Sequence, residues 1–206
     1  MTHSEPLSEA SLSAGVAYLV RTDADLAGVV RRHGPPPLWE RPPGFATLVH
    51  IILEQQVSLA SARAAFQKLT SAVGVLTPSN FLRQSSQTLR EFGFSRQKAA
   101  YCRGLAQSIK EGRLDLEGLQ ELSDEQVRSL LIQARGIGPW TADIYLLMAL
   151  RRPDVWPSGD LALAAAVQQV KRLSARPNHD DLHEIAAPWK PWRAVAARIL
   201  WHHYLS

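Results

Sequence analysis

Hydrophobic residues recur at helical spacing along nearly the whole chain, and no segment shows the strict apolar–polar alternation of a half-buried strand. A short helix is predicted to open at Pro78, and another short element at 115–121. The longer periodic segments predict helices at about 9–21, 24–32, 44–55, 59–73, 95–111, 160–173, 179–187 and 191–204. Between the second and third of these lies HGPPPLWERPPG (33–44), whose prolines exclude a continuous helix. About ten helices joined by short links predict an all-α fold.

The segment SDEQVRSLLIQARGIGPWTADIYLLMALR (123–151) predicts two helices joined by a tight Gly-Ile-Gly turn. Ser123 and Gln126 form a capping box at the first helix, and Pro139 suits the first turn of the second. Such a hairpin points several backbone N–H groups one way, at the positive end of a helix dipole. This arrangement suits a phosphate oxygen and no particular base. An ordinary helical hairpin with a glycine turn is the alternative.

Composition narrows the classes of protein. The chain has 206 residues, enough for one sizeable core or two lobes, and its 46% hydrophobic content is typical of globular proteins. A formal net charge of +4 favours polyanionic partners, although many basic proteins bind no nucleic acid. Cys102 is the single cysteine, so a disulfide framework and a four-cysteine iron–sulfur or zinc site are excluded within the chain. With a polar N-terminus and no membrane-length apolar run, we expect no signal peptide and a cytoplasmic protein.

Asp160 is the candidate catalytic residue. It follows Gly138 by 22 residues and precedes an Ala/Leu-rich segment, which predicts a helix N-cap. If its carboxylate also faces a cleft beside the hairpin, it disfavours a bound phosphodiester but stabilises positive charge that develops on a sugar. Cleavage of an N-glycosidic bond develops such charge. Asp160 would stabilise that charge directly or position a water.

Four ordered blocks of the chain resemble the helix-hairpin-helix (HhH-GPD) DNA glycosylase superfamily, and within it the 3-methyladenine DNA glycosylase II (AlkA-like) family. They are RPPGFATLVHIILEQQVS, LIQARGIGPWTADIYLLMAL, the GD of WPSGD, and PWKPWRAVAARILWHHY, and the similarity extends from about Pro43 to Tyr204. The resemblance matches Asp160 to the family's invariant catalytic aspartate.

The resemblance also implies the architecture: an all-helical, two-lobed fold with the active site in the cleft between the lobes. Residues 1–206 then form a single glycosylase unit, with lobe one at about 45–138 and lobe two at about 1–44 plus 139–206. AlkA-like proteins often carry an additional N-terminal β domain. Too few residues precede the similar region for that domain, so we expect a compact form.

Further roles follow from the resemblance. Trp140 occupies the position of the lysine that attacks the sugar in bifunctional members, and tryptophan cannot form that Schiff base, so a monofunctional enzyme is implied. Trp140 and Trp201 are implied walls of the base pocket, because aromatic faces attract a cationic alkylated base and stack on it. Plain packing in the lobe interface is the alternative for Trp140. Trp39 is a further pocket candidate, with surface packing as the alternative. Ile144 and Leu161 stand where the AlkA-type pocket has tyrosines, which predicts a less aromatic pocket.

The resemblance assigns the DNA contacts to two places. Gln56 matches the family's DNA wedge, which fills the gap left by a flipped base; alternatively, Gln55 and Gln56 simply cap a buried helix end. The hairpin residues Gly136, Gly138 and Thr141 are the expected phosphate contacts. We expect both glycines to hold a backbone that alanine cannot adopt without strain, and the approaching phosphate to leave no space for a methyl group.

No cofactor, catalytic metal or iron–sulfur cluster is expected. The family's hairpin often holds a monovalent cation through main-chain carbonyls, which fall here at Ile132, Ala134 and Ile137, so a structural Na⁺ or K⁺ is a candidate. Four basic side chains are candidate phosphate neighbours or solvated surface charges: Arg96, Lys98, Arg103 and Arg135.

The sequence therefore predicts a monofunctional DNA glycosylase of base excision repair. It would flip and hydrolytically remove alkylated bases of the 3-methyladenine and 7-methylguanine type from double-stranded DNA, leaving an abasic site. We expect a monomer that binds damaged duplex DNA and no membrane. The alternatives are a non-catalytic DNA-binding module that uses the hairpin as a phosphate clamp, and a glycosylase for neutral lesions such as uracil.

Overall fold

The structure, a computed structural model, describes residues 5–206, and every regular element in that range is helical. The predicted all-α fold is confirmed. The α-helices are α1 (Glu9–Thr22), α2 (Ala24–His33), α3 (Phe45–Glu54), α4 (Leu59–Val73), α5 (Pro78–Leu82), α6 (Ser86–Glu91), α7 (Arg96–Lys110), α8 (Asp124–Leu131), α9 (Pro139–Met148), α10 (Leu161–Val170), α11 (His179–Ala186) and α12 (Arg193–Leu205). Two 3₁₀ turns complete them, at Gly118–Glu121 and Ala187–Trp189.

Polar caps explain where most helices begin. A side-chain oxygen accepts a hydrogen bond from a first-turn backbone amide at Ser8, Asp23, Ser58, Thr77, Ser85, Ser95, Ser123, Asn178 and Asp160. Each bond satisfies one of the amides that has no partner within its helix. The capping box predicted for Ser123 and Gln126 is present.

Helix α6 is the element that the periodicity did not predict. It spans Ser86–Glu91 and buries Leu89 alone, so it is too short to show a helical repeat. The predicted element at 115–121 is reduced to the 3₁₀ turn Gly118–Glu121, and the helix predicted over 160–173 ends at Val170.

The chain divides into two compact units. The first unit is Arg41–Tyr145, and the second consists of 5–40 together with Leu146–Ser206 among the described residues. In the first, α3 forms the buried centre and packs on α4 and α7. In the second, α12 is buried from Ala194 through Trp201 and packs on α10, α2 and α1. The predicted lobe boundaries and the cleft between the lobes stay predictions.

Arg198 organises the second unit from inside. It is fully buried, and its guanidinium donates to the carbonyls of Leu38 (2.7 Å), Leu147 (2.8 Å) and Ala194 (3.1 Å). Burial lowers the pKa of Arg198 to about 10, so the group stays charged at neutral pH. These bonds fasten the Pro-rich segment at the residue preceding Trp39. Among the described residues, no helix combines the length and apolarity that a membrane crossing requires.

Candidate active site

The hairpin lies within the first unit, between the end of α8 and the start of α9. Gly136 has a φ of +94°, and a Cβ added there would lie 2.2 Å from Cγ of Tyr101. Glycine is therefore required at 136 by both backbone and space. Gly138 differs, since its φ is not positive and a Cβ there meets no described atom within 4 Å. The expectation of a strained backbone is confirmed for Gly136 and is wrong for Gly138.

Gln55 ties the end of α3 to this hairpin. Its Nε2 donates to the carbonyl of Gly136 and to Oγ1 of Thr141, at 2.9 Å each. Thr141 is 1% exposed, so its hydroxyl is engaged inside the unit. The side chain of Thr141 therefore does not stand at the surface, and its predicted phosphate contact stays a prediction. The first bond of α9 joins the amide of Ala142 to the carbonyl of Gly138.

Gln56 differs from Gln55 in exposure and in backbone conformation. It is exposed and has a φ of +54°, whereas Gln55 has a φ of −59°. The alternative in which Gln55 and Gln56 cap the helix end holds for Gln55, which is the C-cap residue of α3 and whose backbone amide donates to the carbonyl of Ile52. The side-chain donor to the carbonyls at that end is Lys98. Its Nζ donates to the carbonyls of Leu53 and Gln55 at 2.7 Å each. An exposed side chain on a sharp turn is compatible with the predicted wedge role of Gln56.

The predicted basic phosphate neighbours separate into two pairs. Lys98 is engaged at the end of α3, and burial lowers its pKa. Arg103 donates to the carbonyls of Leu82 and Gln84. Arg96 and Arg135 are exposed, so they keep the predicted role more readily than the other two.

Asp160 lies in the second unit at the start of α10, where the predicted N-cap is confirmed. Its Oδ1 accepts a hydrogen bond from the amide of Leu163 at 2.7 Å. The same oxygen accepts from Nε1 of Trp201 at 3.2 Å, and Trp201 is 7% exposed. Two N–H donors on one carboxylate oxygen fix the plane of the group, so Asp160 presents a defined orientation.

The turn that precedes Asp160 is also bonded to helix α11. Ser158 is buried, and its hydroxyl lies 3.1 Å from Nε2 of His183 on α11. Within the turn, the amide of Asp160 donates to the carbonyl of Pro157 at 2.9 Å. Sequence reasoning missed both Ser158 and His183. The Pro-Ser-Gly run signals a turn, but no local signal identifies a histidine 25 residues away.

The family model for HhH-GPD superfamily base excision DNA repair proteins matches residues 49–191, a range that includes the hairpin and Asp160. The chain belongs to this superfamily. It is 29% identical over 184 residues to YfjP of Bacillus subtilis (strain 168), covering 85% of this chain and 64% of that protein. It is 30% identical over 169 residues to the DNA-3-methyladenine glycosylase of the same organism, covering 76% and 56%. The chain thus spans less than two thirds of the length of either relative.

A solved structure agrees with this membership. The Schizosaccharomyces pombe 3-methyladenine DNA glycosylase (Mag1), in complex with abasic DNA, superposes with a TM-score of 0.85 at 26% identity. The match covers 91% of this chain and 95% of that one. The all-helical HhH-GPD fold therefore extends over almost the whole chain.

The predicted base-pocket residues of this HhH-GPD protein occupy both units. In the second unit, Trp201 contacts Asp160, and Leu161 is 73% exposed on the first turn of α10. Trp39 in the same unit is half-buried and lies edge-on to His202, with ring centroids 6.2 Å apart. In the first, Trp140 is half-buried on α9 and Ile144 is buried with 3% exposure. Of these residues, the structure brings Trp201 and Leu161 directly to the catalytic candidate.

Proposed function

We propose that this HhH-GPD protein is a monofunctional DNA glycosylase that hydrolytically removes alkylated bases, of the 3-methyladenine and 7-methylguanine type, from double-stranded DNA. The observation that carries the proposal is the carboxylate of Asp160, oriented by Leu163 N–H and the Trp201 indole. A preoriented anion stabilises charge only where charge develops, which is how a site favours a transition state over a ground state.

The main group that this reaction requires from the protein is the carboxylate of Asp160. As the N-glycosidic bond breaks, the sugar gains oxocarbenium character and Asp160 stabilises it while a water attacks the sugar carbon and loses a proton to solvent. An alkylated purine already carries positive charge, so it leaves as a neutral base. Selection for damaged bases therefore arises partly in the reaction itself.

DNA binding is assigned to the first unit. The backbone at Gly136, Gly138 and Thr141 is proposed to contact a phosphate, and Gln56 is proposed to enter the stack in place of the extruded base. The proposed contacts of that base are Trp140, Trp201, Ile144, Leu161 and Trp39. Trp140 stands where a Schiff-base lysine would be needed, which supports hydrolysis without strand cleavage.

A structural Na⁺ or K⁺ is a subsidiary proposal for the hairpin. Its ligands would be the carbonyls of Ile132, Ala134 and Ile137. The Ala134 oxygen accepts the Ile137 amide at 3.0 Å, and a carbonyl oxygen has two lone pairs, so this bond is compatible with ion binding. The ion would stabilise the turn, and the melting temperature should rise when choline chloride is replaced by KCl or NaCl at equal ionic strength. An unchanged melting temperature contradicts the site.

Base release from defined DNA tests the proposed function. Duplex DNA treated with a methylating agent, a matched uracil-containing duplex and an untreated duplex are incubated with the protein, and released bases are separated by chromatography. We expect methylated purines to be released from the first duplex alone. Release of uracil would favour the neutral-lesion alternative, and binding without any release would favour the phosphate clamp.

We further propose that the protein acts as a cytoplasmic monomer.

A further inference from the structure

The end of α3 and the hairpin turn are joined by a continuous set of hydrogen bonds within the first unit. Lys98 Nζ holds the carbonyls of Leu53 and Gln55, and the Gln55 side chain holds Gly136 and Thr141. Gln56 is the next residue along the chain after this anchored segment. From this geometry we infer that Lys98 and Gln55 are positioning residues for base extrusion, which fix Gln56 relative to the phosphate-binding turn. The inference rests on the proposed function.

The backbone of Gln56 shows why an anchor is needed. Its φ of +54° is sparsely populated for a residue with a side chain, and such a conformation persists only where its surroundings enforce it. The bonds from Lys98 hold the carbonyl of Gln55, which belongs to the peptide group that leads into Gln56. Without those bonds, the turn can relax to a negative φ and the side chain of Gln56 leaves its position.

One face of α7 contacts both the end of α3 and the hairpin turn. Lys98 and Tyr101 are three residues apart, so their side chains lie on the same side of that helix. Tyr101 lies directly against Gly136, where even a methyl group has no space. Lys98 is partly removed from water, and burial lowers its pKa, so its two carbonyl bonds replace lost hydration. Helix α7 therefore sets the positions of both the Gln55–Gln56 segment and the turn at Gly136.

This arrangement has a consequence for the reaction. A phosphate bound at the turn sets the register of the protein on the duplex, and the Gln55 link then determines which step of the base stack Gln56 meets. Loss of the link should impair extrusion of a base from a stable pair more than from a mismatch, because unpairing is most costly for stable pairs.

The test uses Lys98→Met, which removes the donors and keeps most of the side-chain length. Lys110→Met is the matched control, since Lys110 is exposed on the last turn of the same helix and carries the same charge. Single-turnover base release is measured from one lesion in a stable pair and in a mismatch. We expect Lys98→Met to slow release from the stable pair by about tenfold or more, and from the mismatch by about threefold or less. Lys110→Met should leave both single-turnover rates, on the stable pair and on the mismatch, equal to those of the wild type.

Coupling to Gln56 separates positioning from general loss of structure. If Lys98 acts through Gln56, the Lys98→Met/Gln56→Ala protein should be no slower than Gln56→Ala alone. Additive losses, or equal slowing on both duplexes, would overturn the inference. Gln55→Met removes the link to the hairpin at similar length and provides a second variant should Lys98→Met fold poorly. It should reproduce the same preference for mismatched substrates.

A binding measurement keeps this inference distinct from the proposed function. If the wild type releases no base, the proposed function is wrong. Extrusion is then measured as the ratio of two affinities, one for a duplex that contains a tetrahydrofuran abasic analogue and one for an intact duplex. The wild type should prefer the abasic duplex, and Lys98→Met should lose most of that preference. A preference equal to that of the wild type overturns the positioning role, whatever the catalytic result.

Discussion

Asp160 caps α10 and is proposed to stabilise the sugar cation, and a single substitution can separate the observed role from the proposed one. Asparagine keeps an oxygen that can accept the Leu163 amide, so the cap on α10 should survive in Asp160→Asn. It removes the negative charge that opposes a phosphodiester and favours a sugar cation. We expect base release to be abolished and DNA affinity to be equal or higher. Single-turnover release within about tenfold of wild type, a loss of only about 1.4 kcal/mol, would contradict the catalytic assignment.

The indole of Trp201 contacts Asp160 through its N–H, which phenylalanine lacks. Trp201→Phe should therefore keep an aromatic face and lose the orientation of the carboxylate. Because a misoriented carboxylate stabilises the developing sugar cation less well, the single-turnover rate should fall about tenfold, a loss of about 1.4 kcal/mol in transition-state stabilisation. Affinity for abasic DNA should change far less. A rate within about twofold of wild type would leave Trp201 as a pocket wall only.

The two hairpin glycines should respond differently to alanine, because only Gly136 has a positive φ and a close neighbour. Gly136→Ala is expected to lower the free energy of unfolding by about 1–3 kcal/mol in urea titrations. Gly138→Ala should leave stability within about 0.5 kcal/mol of wild type. It should nevertheless weaken binding to damaged and intact duplexes alike, because a methyl group would meet the phosphate. Unchanged affinity in Gly138→Ala would contradict phosphate binding at this turn.

At the contact between α3 and α4, His50 makes stability depend on pH. Its ring stacks on Phe66 with centroids 4.2 Å apart. Burial lowers the pKa of His50; Glu54 partly opposes this, and Arg41 and Arg63 add to it. Below the unfolded pKa of about 6.5, the unfolded chain binds a proton that the folded chain resists, so stability falls as pH decreases.

The prediction is that the melting temperature of the wild type drops between about pH 7.5 and 5.5, and that His50→Gln drops less over the same window. His203 is a second site of the same kind, in the second unit, because burial lowers its pKa and the charges of His33 and Arg32 add to this. His203→Gln should remove its own share of the slope independently. Equal slopes for wild type and His50→Gln would show that His50 titrates alike in both states.

For the whole molecule, the absence of a lysine at position 140 predicts the product. The wild type should leave an intact abasic strand until alkali cleaves it, and borohydride should trap no covalent complex with DNA. Trp140→Lys should not create a lyase by itself, because a nucleophilic lysine also needs a depressed pKa and aligned access. Denaturing gels of the DNA strand and of the protein measure both. A trapped wild-type adduct would contradict the monofunctional proposal.

The sequence by itself determined most of the helices, the capping box at Ser123, the N-cap role of Asp160 and the hairpin. These features depend on residues within about one or two helical turns, so hydrophobic period, caps and glycines are enough to predict them. Helix α6 escaped because it buries one residue and shows no period. The base-pocket and wedge assignments came from the resemblance and stay predictions.

Only the tertiary structure decided which neighbouring side chain faces which way. Gln55 bonds the hairpin while Gln56 faces solvent, Thr141 is buried, and Lys98 binds carbonyls rather than standing at the surface. The bond between Trp201 and Asp160 joins residues 41 positions apart. Each of these outcomes depends on helices that pack together after long stretches of intervening chain. Local propensity carries no information about such partners, because burial and hydrogen-bond geometry exist only once the helices have docked.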